Sequence, residues 1–275
     1  MLRHHQLRPF LKWAGGKSKL ISQYIPYFPQ KVTRYHEPFL GGGAVFFYLY
    51  NTQTFESIFL TDINYNLINT YLAIKHDVKA VIFFLKKHQA NHNREYYYFI
   101  RSLKTENFAE QAARLIYLNK TCFNGLYREN AQGNFNVPVG KYKNPLICNP
   151  ELLHLVSEVL QSAHIKVQPF ETVSDSANTQ EDFVYFDPPY YPVSDTSNFT
   201  AYHRDSFSQN DQIRLRDTFV TLAQRGVKVM LSNSDCPFIR ELYQEFNIHE
   251  ISAARAINSN AKKRGKITEL LVTSY

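Results

Sequence analysis

The stretch Tyr35-His36-Glu37-Pro38-Phe39-Leu40-Gly41-Gly42-Gly43-Ala44-Val45-Phe46-Phe47 decides how the rest of the chain is read. Its first five residues have the character of a short strand, its last four open an apolar helix, and three glycines join them. Glycines let the backbone come close to a ligand, and the helix N-terminus that follows favours negative charge. A glycine cluster alone suits a plain strand-to-helix turn equally well. The spacing to the next acidic residue strengthens the ligand reading. The second strand candidate, Glu56 to Thr61, ends at Asp62, about 20 residues on, where a carboxylate accepts hydrogen bonds from ribose hydroxyls in nucleotide-binding α/β folds. No second glycine-rich phosphate site follows, so the expected ligand has a ribose and need not have a pyrophosphate.

Working outward, further strands are expected at Ile165 to Phe170, Asp182 to Phe186, Val227 to Ser232, Phe246 to Ser252 and Ile267 to Thr273. A helix is expected over Ser208 to Arg225, with Leu215, Phe219, Leu222 and Ala223 on one stripe and Ser208 with Asp211 as a capping-box start. Strands alternating with helices imply a mostly parallel sheet covered on both faces. From about Ile63 to Leu118 the pattern is nearly all helical, and Tyr127 to Tyr142 reads as a hairpin turning at Ala131-Gln132-Gly133-Asn134. That is too long for a loop. The expectation is a catalytic domain of residues 1–64 and 165–275, interrupted by an inserted subdomain of residues 65–164.

The strand Asp182 to Phe186 runs into Asp187-Pro188-Pro189-Tyr190, the most specific signal in the chain. Two prolines fix the backbone and remove two N–H donors, leaving carbonyls free. The Asp187 carboxylate and the Pro188 carbonyl can then accept from one amino group, while Tyr190 stacks on a flat heterocycle. An exocyclic amine on a base is a poor nucleophile because its lone pair is delocalised. Two acceptors on its hydrogens draw it toward tetrahedral geometry and localise that pair. The alternative is a structural turn at a strand end.

The 275 residues carry a formal net charge of +7, with 44% hydrophobic residues, 19 Tyr and 21 Phe. That hydrophobic share excludes a disordered chain, and the charge favours an anionic partner. Three cysteines, Cys122, Cys148 and Cys236, suggest reduced thiols rather than a disulfide framework. The leader Met1 to Phe10 has no apolar core of signal-peptide length, and the longest apolar runs, such as Val81 to Leu85, are too short to span a bilayer. A cytoplasmic protein that avoids membranes is expected. His88 and His92 have a zinc-compatible spacing without a third ligand, so an exposed helix end is expected there and no metal. Tyr96-Tyr97-Tyr98-Phe99 should pack the insertion's small core. Gly16-Lys17-Ser18 ends like a P-loop, but Leu11 stands where that loop needs its first glycine.

RPFLKWAGGKSKL, EPFLGGGAVFF, TDINYNLI, NKTCFNGLYRENAQGNFNVPVGKYKNP, FVYFDPPY and SNFTAYHRDSF together resemble the DNA adenine methyltransferase (Dam) family, the GATC-modifying alpha-group enzymes, over nearly the whole chain. The resemblance implies a Rossmann-like seven-stranded methyltransferase sheet whose last strand is antiparallel, with an inserted, mostly helical DNA-recognition subdomain carrying a β-hairpin. It implies S-adenosyl-L-methionine as donor, bound by Trp13, Lys17, Phe39, Gly41, Gly43, Asp62 and Asp187, with loose adenine contacts near Phe170 to Val173. Catalysis falls to Asp187, Pro188, Pro189 and Tyr190. Double-stranded DNA would meet Lys12, Phe123, Asn124, Leu126, Arg128, Pro138, Lys141 and Tyr142. Arg128 is the expected bidentate reader of guanine. Phe123 and Asn124 sit where the family fills the gap left by an extruded base. Leu126 and Pro138 face a thymine methyl, and Lys141 and Tyr142 contact phosphate. Lys141 stands where the family often has arginine, and lysine lacks the bidentate fork. Ser197 to Tyr202 reads as a flap over the flipped base or an ordinary connection, and Asn258 to Arg264 as a phosphate-meeting loop or a solvated charge run. A monomer is expected, and a separate cognate restriction endonuclease stays open.

The implied activity is methyl transfer to the N6 amine of adenine. Cytosine N4 methylation is the nearest rival, although serine more often replaces the motif's aspartate there. Two more distant rivals are a DNA-binding protein that lost catalysis and an RNA or protein methyltransferase.

Overall fold

The computed structural model describes residues 7–130, 132–193, 207–254 and 266–275. In chain order the main elements are α1 (Ile21–Tyr24), β1 (Arg34–Glu37), α2 (Ala44–Thr52), β2 (Ser57–Asp62), α3 (Tyr65–Asn91), α4 (Arg94–Ser102), α5 (Phe108–Thr121), α6 (Pro150–Leu160), β3 (Ala163–Val167), β4 (Asp182–Phe186), α7 (Gln209–Gln224), β5 (Lys228–Ser234), α8 (Pro237–Leu242), β6 (Asn247–Ala254) and β7 (Lys266–Thr273). Among the described residues, seven strands form one mixed sheet in the order β3-β2-β1-β4-β5-β7-β6. β1 pairs parallel with β2 and β4, and β4 parallel with β5, whereas β7 runs antiparallel to both β5 and β6. The sheet is the α/β methyltransferase type expected, antiparallel last strand included. The expected flap at Ser197 to Tyr202 and the loop at Asn258 to Arg264 lie outside the described residues.

The chain divides into two compact units, one of Met1–Ser18, Gly41–Thr54 and Asp62–Val167, the other of Lys19–Leu40, Phe55–Thr61 and Gln168–Tyr275. The expected insertion, residues 65–164, lies inside the first. Its helices begin where asparagine stops the preceding loop. Asn64, Asn93, Asn107 and Asn149 each accept a backbone N–H from the first turn of α3, α4, α5 and α6. Such caps satisfy donors that a helix start leaves unpaired. α3 is broken at Asp77 (φ −147°, ψ 65°), whose carboxylate accepts from Ala80 N at 3.0 Å and so starts the second half.

Of the expected hairpin at Tyr127 to Tyr142, one antiparallel bridge joins the two arms, Glu129 with Phe135, while Val139 bridges to Cys122 outside it. Its arms do not pair along their length. The Asn130 side chain accepts from Gln132 N and Asn134 N at 3.1 and 3.0 Å, a local bonding pattern that competes with a ladder. The expected exposed helix end at His88 is also corrected. His88 is buried and shares a 2.9 Å hydrogen bond with the Tyr96 hydroxyl, and His92 does the same with Tyr117.

In the second unit all five residues of β4 are buried, as a strand covered on both faces must be. Phe186, Val184, Phe219, Leu222, Tyr243 and Leu270 form the centre of its core. Ser208 and Asp211 make the capping box of α7. The strand expected through Phe170 ends earlier, at Val167, and Phe170–Asp175 winds into a 3₁₀ turn after Pro169, which has no N–H for a ladder.

Candidate active site

In the first unit three segments converge on the glycine turn. Gly41 and Gly43 have φ of +48° and +67°, a region that side chains rarely adopt. A Cβ on Gly41 would also lie 2.8 Å from Cδ1 of Trp13. The glycine is therefore required twice, by conformation and by the indole resting on it. Tyr71 donates to the Gly41 carbonyl at 3.1 Å, and Phe10 meets the Tyr71 ring edge-on. Gly41 N donates to Asp62 Oδ2 at 3.1 Å, and Asn64 N donates to Oδ1 at 2.9 Å. Burial pushes the Asp62 carboxyl above the usual aspartate range, and the N–H groups of Asn64, Gly41 and Ile63 pull it back. Lys17 is buried and donates to Gly15 O at 2.6 Å.

Trp13 is not a bare wall: its indole stacks on Tyr127, with centroids 5.0 Å apart and planes 29° from parallel. The Tyr127 hydroxyl donates to Glu129 Oε1, which also accepts from Asn66 at 3.0 Å. The neighbouring Lys12 is clamped by one buried side chain. Asn119 accepts from Lys12 N at 2.8 Å and donates to Lys12 O at 2.6 Å and to Gly125 O at 3.2 Å. The Lys12 ammonium lies 4.3 Å over the Tyr142 ring, so two residues expected at DNA touch each other. Phe123, Asn124, Arg128, Pro138 and Lys141 are exposed, and Leu126 is half-buried. Asn124 has φ +55°, the one non-glycine residue with positive φ among those described. Burial, with Lys12 and Arg8 adding repulsion, lowers Lys120 to about 8.

In the second unit β4 delivers Asp187 at its C-terminal end. Asp187 Oδ1 accepts from Ser232 Oγ at 2.8 Å, and Ser232 Oγ lies 3.0 Å from the Tyr185 hydroxyl. Tyr190 donates its hydroxyl to Glu269 Oε2 at 2.8 Å. Burial first, and then the Asp187 carboxylate, hold the Tyr190 phenol well above its ordinary range. Gln212 donates to Pro189 O at 2.9 Å. Phe39 stacks on Phe170 at 5.4 Å and meets Phe186 and Phe207 edge-on.

The sequence alone does not single out Ser232, Asn233, Gln212, Glu269 or Tyr127. A signal exists for the first two: Ser232-Asn233-Ser234 are polar, yet they end an apolar strand and are buried beside β4. Among the described residues no group of His, Cys, Asp and Glu could hold a metal ion, and no helix is long and apolar enough to cross a membrane.

The family model described as D12 class N6 adenine-specific DNA methyltransferase matches residues 13–257. The chain is 44% identical to a type II methyltransferase, M1.LlaDCHI, of Lactococcus lactis subsp. cremoris, over 98% of this chain and 96% of that one. It is 42% identical to the type II methyltransferase M.MjaIII of Methanocaldococcus jannaschii, over 98% and 100%. To the DNA adenine methylase of Escherichia coli K12 it is 38% identical, over 96% and 94%.

Proposed function

As a member of the D12 class N6 adenine-specific DNA methyltransferase family, this chain is an adenine-specific DNA methyltransferase, and we propose that it methylates adenine within GATC of double-stranded DNA, using S-adenosyl-L-methionine and base flipping. The observation that carries the reading is the Asp187 corner: a carboxylate at the end of a fully buried strand, fixed by Ser232 and followed by two prolines.

The residues we propose for the donor are Trp13, Lys17, Phe39, Gly41, Gly43, Asp62 and Asp187. The fit is supported by the turn itself, where a Cβ on Gly41 would strike the indole. It is also supported by the donor set: a carboxylate for ribose hydroxyls and the N-terminus of α2, which Gly43 leaves without a side-chain cap. When bound, S-adenosyl-L-methionine supplies an electrophilic methyl group on a sulfonium.

The chain's own residues prepare the acceptor. The flipped adenine leaves the stack, since its amine is out of reach inside a duplex. Asp187 and the Pro188 carbonyl accept from the N6 hydrogens, localise the lone pair and stabilise the positive charge that grows on nitrogen. Tyr190 covers the ring face. Transfer is direct and in line, with no covalent enzyme adduct, so positioning carries most of the rate. The surplus proton then passes from N6 to water. Residues 65–164 read DNA: Arg128 addresses guanine, Leu126 and Pro138 thymine methyls, and Phe123 and Asn124 the gap left by adenine. Lys12, Lys141 and Tyr142 hold phosphate. The enzyme acts as a monomer, alone or with a separate restriction endonuclease.

Asp187→Ala tests the mechanism. Methyl transfer from radiolabelled donor should fall by at least about 10²-fold, with duplex binding retained. Unchanged turnover would refute it. Plasmid from cells expressing the protein should resist a GATC-cutting endonuclease, and cleavage at every site would remove the sequence assignment.

A further inference from the structure

Two prolines fix φ at Pro188 and Pro189, but the peptide planes on either side of Tyr190 must be set by something else. Two buried amides set them. Gln212, on α7, donates to Pro189 O at 2.9 Å. Asn233, on β5, donates to Gln212 Oε1 at 2.9 Å. Asn233 Oδ1 then accepts from Tyr191 N at 3.1 Å and from Ser234 N at 2.8 Å. Both amides are 0% exposed. The chain of bonds has one polarity, because turning either amide over would set oxygen against oxygen.

The carbonyl before Tyr190 and the N–H after it are thus tied to one relay, and the phenol is tied separately to Glu269. Burying two amides in a core incurs a desolvation cost that an apolar pair of the same volume would avoid. Packing alone therefore does not account for them.

We propose that Gln212 and Asn233 are positioning residues for methyl transfer, an amide relay that fixes the peptides flanking Tyr190 and so aims the ring and the Asp187–Pro188 acceptors at the target amine. Pro189 O already accepts from Gln212, and the Pro188 carbonyl is the acceptor the proposed mechanism gives the amine. The inference rests on the reading of the corner as the acceptor site.

Gln212→Met keeps the volume and removes the donor to Pro189 O. Asn233→Asp keeps the acceptor for Tyr191 N and Ser234 N and removes the donor to Gln212. Each should lower kcat at least tenfold while KM for a GATC duplex and for S-adenosyl-L-methionine changes less than twofold. Phe219→Leu, on the same helix but in the core, should lower the melting temperature and leave kcat at the parent value. A parent-like kcat in either folded relay variant overturns the proposal, and so does an equal loss of kcat in Phe219→Leu at matched melting temperature. Asp187→Ala, run alongside, separates the two readings. If it keeps its turnover, the acceptor site itself is misassigned; if it is inactive while Gln212→Met is as fast as the parent, only the relay fails.

Discussion

Arg128 is exposed and held by one neighbour: its Nε donates to Asn136 Oδ1 at 2.7 Å and its Nη2 lies 3.4 Å from Asn136 O. On the proposed reading the remaining guanidinium donors address a base edge, and Asn136 limits the rotamers the long side chain gives up on binding. Arg128→Ala should therefore reduce discrimination at one guanine by about 1–3 kcal/mol. Comparing kcat/KM on GATC with single-mismatch duplexes checks it, and full retention of preference would reassign the residue. At this scale the sequence is most readable where a residue's chemistry is unusual for its place. Asp187 after an apolar strand, and glycines before an apolar helix, announce themselves. Tyr127 does not, because its stacking on Trp13 joins residues far apart in the chain, and nothing local marks it. Ser232 and Asn233 become recognisable only once β5 is known to lie beside β4.

Elements are legible where local chemistry and hydrophobic period agree. The capping box places the start of α7, and the apolar run places β4. They are less legible where side chains compete for the backbone, as Asn130 does in the region expected to form a hairpin. The segment around Lys12 shows the same limit from the other side. It has no regular structure, and one residue of α5 supplies its pairing: Asn119 satisfies both backbone groups of Lys12 and the Gly125 carbonyl. A Cβ on Gly125 (φ +63°) would lie 2.7 Å from Lys12 Cδ, so the two loops are in close contact as well as bonded. Asn119→Ala removes the partner of the buried Gly125 carbonyl and of the partly buried Lys12 backbone groups, and should destabilise the protein by about 1–3 kcal/mol. Urea unfolding should show a lower midpoint at an unchanged slope. A shift below about 0.5 kcal/mol would mean that water replaces the amide.

At the scale of the molecule, the alternation of strands and helices and the order of motifs specify the sheet, whereas the buried titratable groups emerge only in three dimensions. These groups determine how the fold responds to acid. His36 is buried, with Nε2 2.7 Å from Asp182 Oδ1, and burial lowers its pKa from 6.5 despite that partner. Burial also lowers His88, to about 4. Burial raises the Asp182 carboxyl, but the bonds from His36, Asn178 and Thr179 outweigh it and hold the group at about 2. The signs agree. Below about pH 6.5 the unfolded chain takes up protons that the folded histidines refuse, so stability is full above that pH and declines as pH falls toward about 4. Each histidine contributes at most about 1.4 kcal/mol per pH unit to that slope. The Asp182 contribution is present above about 3.8 and is lost as pH falls toward about 2. Denaturant titrations between about pH 7 and about pH 4 should therefore show a continuous loss of stability. His88→Gln keeps a hydrogen-bonding side chain for Tyr96 and has no proton to gain, so it should flatten the limb without abolishing it, His36, His92 and His249, each lowered by burial, supplying the remainder. An unchanged slope in that variant would mean that His88 titrates alike in the folded and unfolded chain, against its burial.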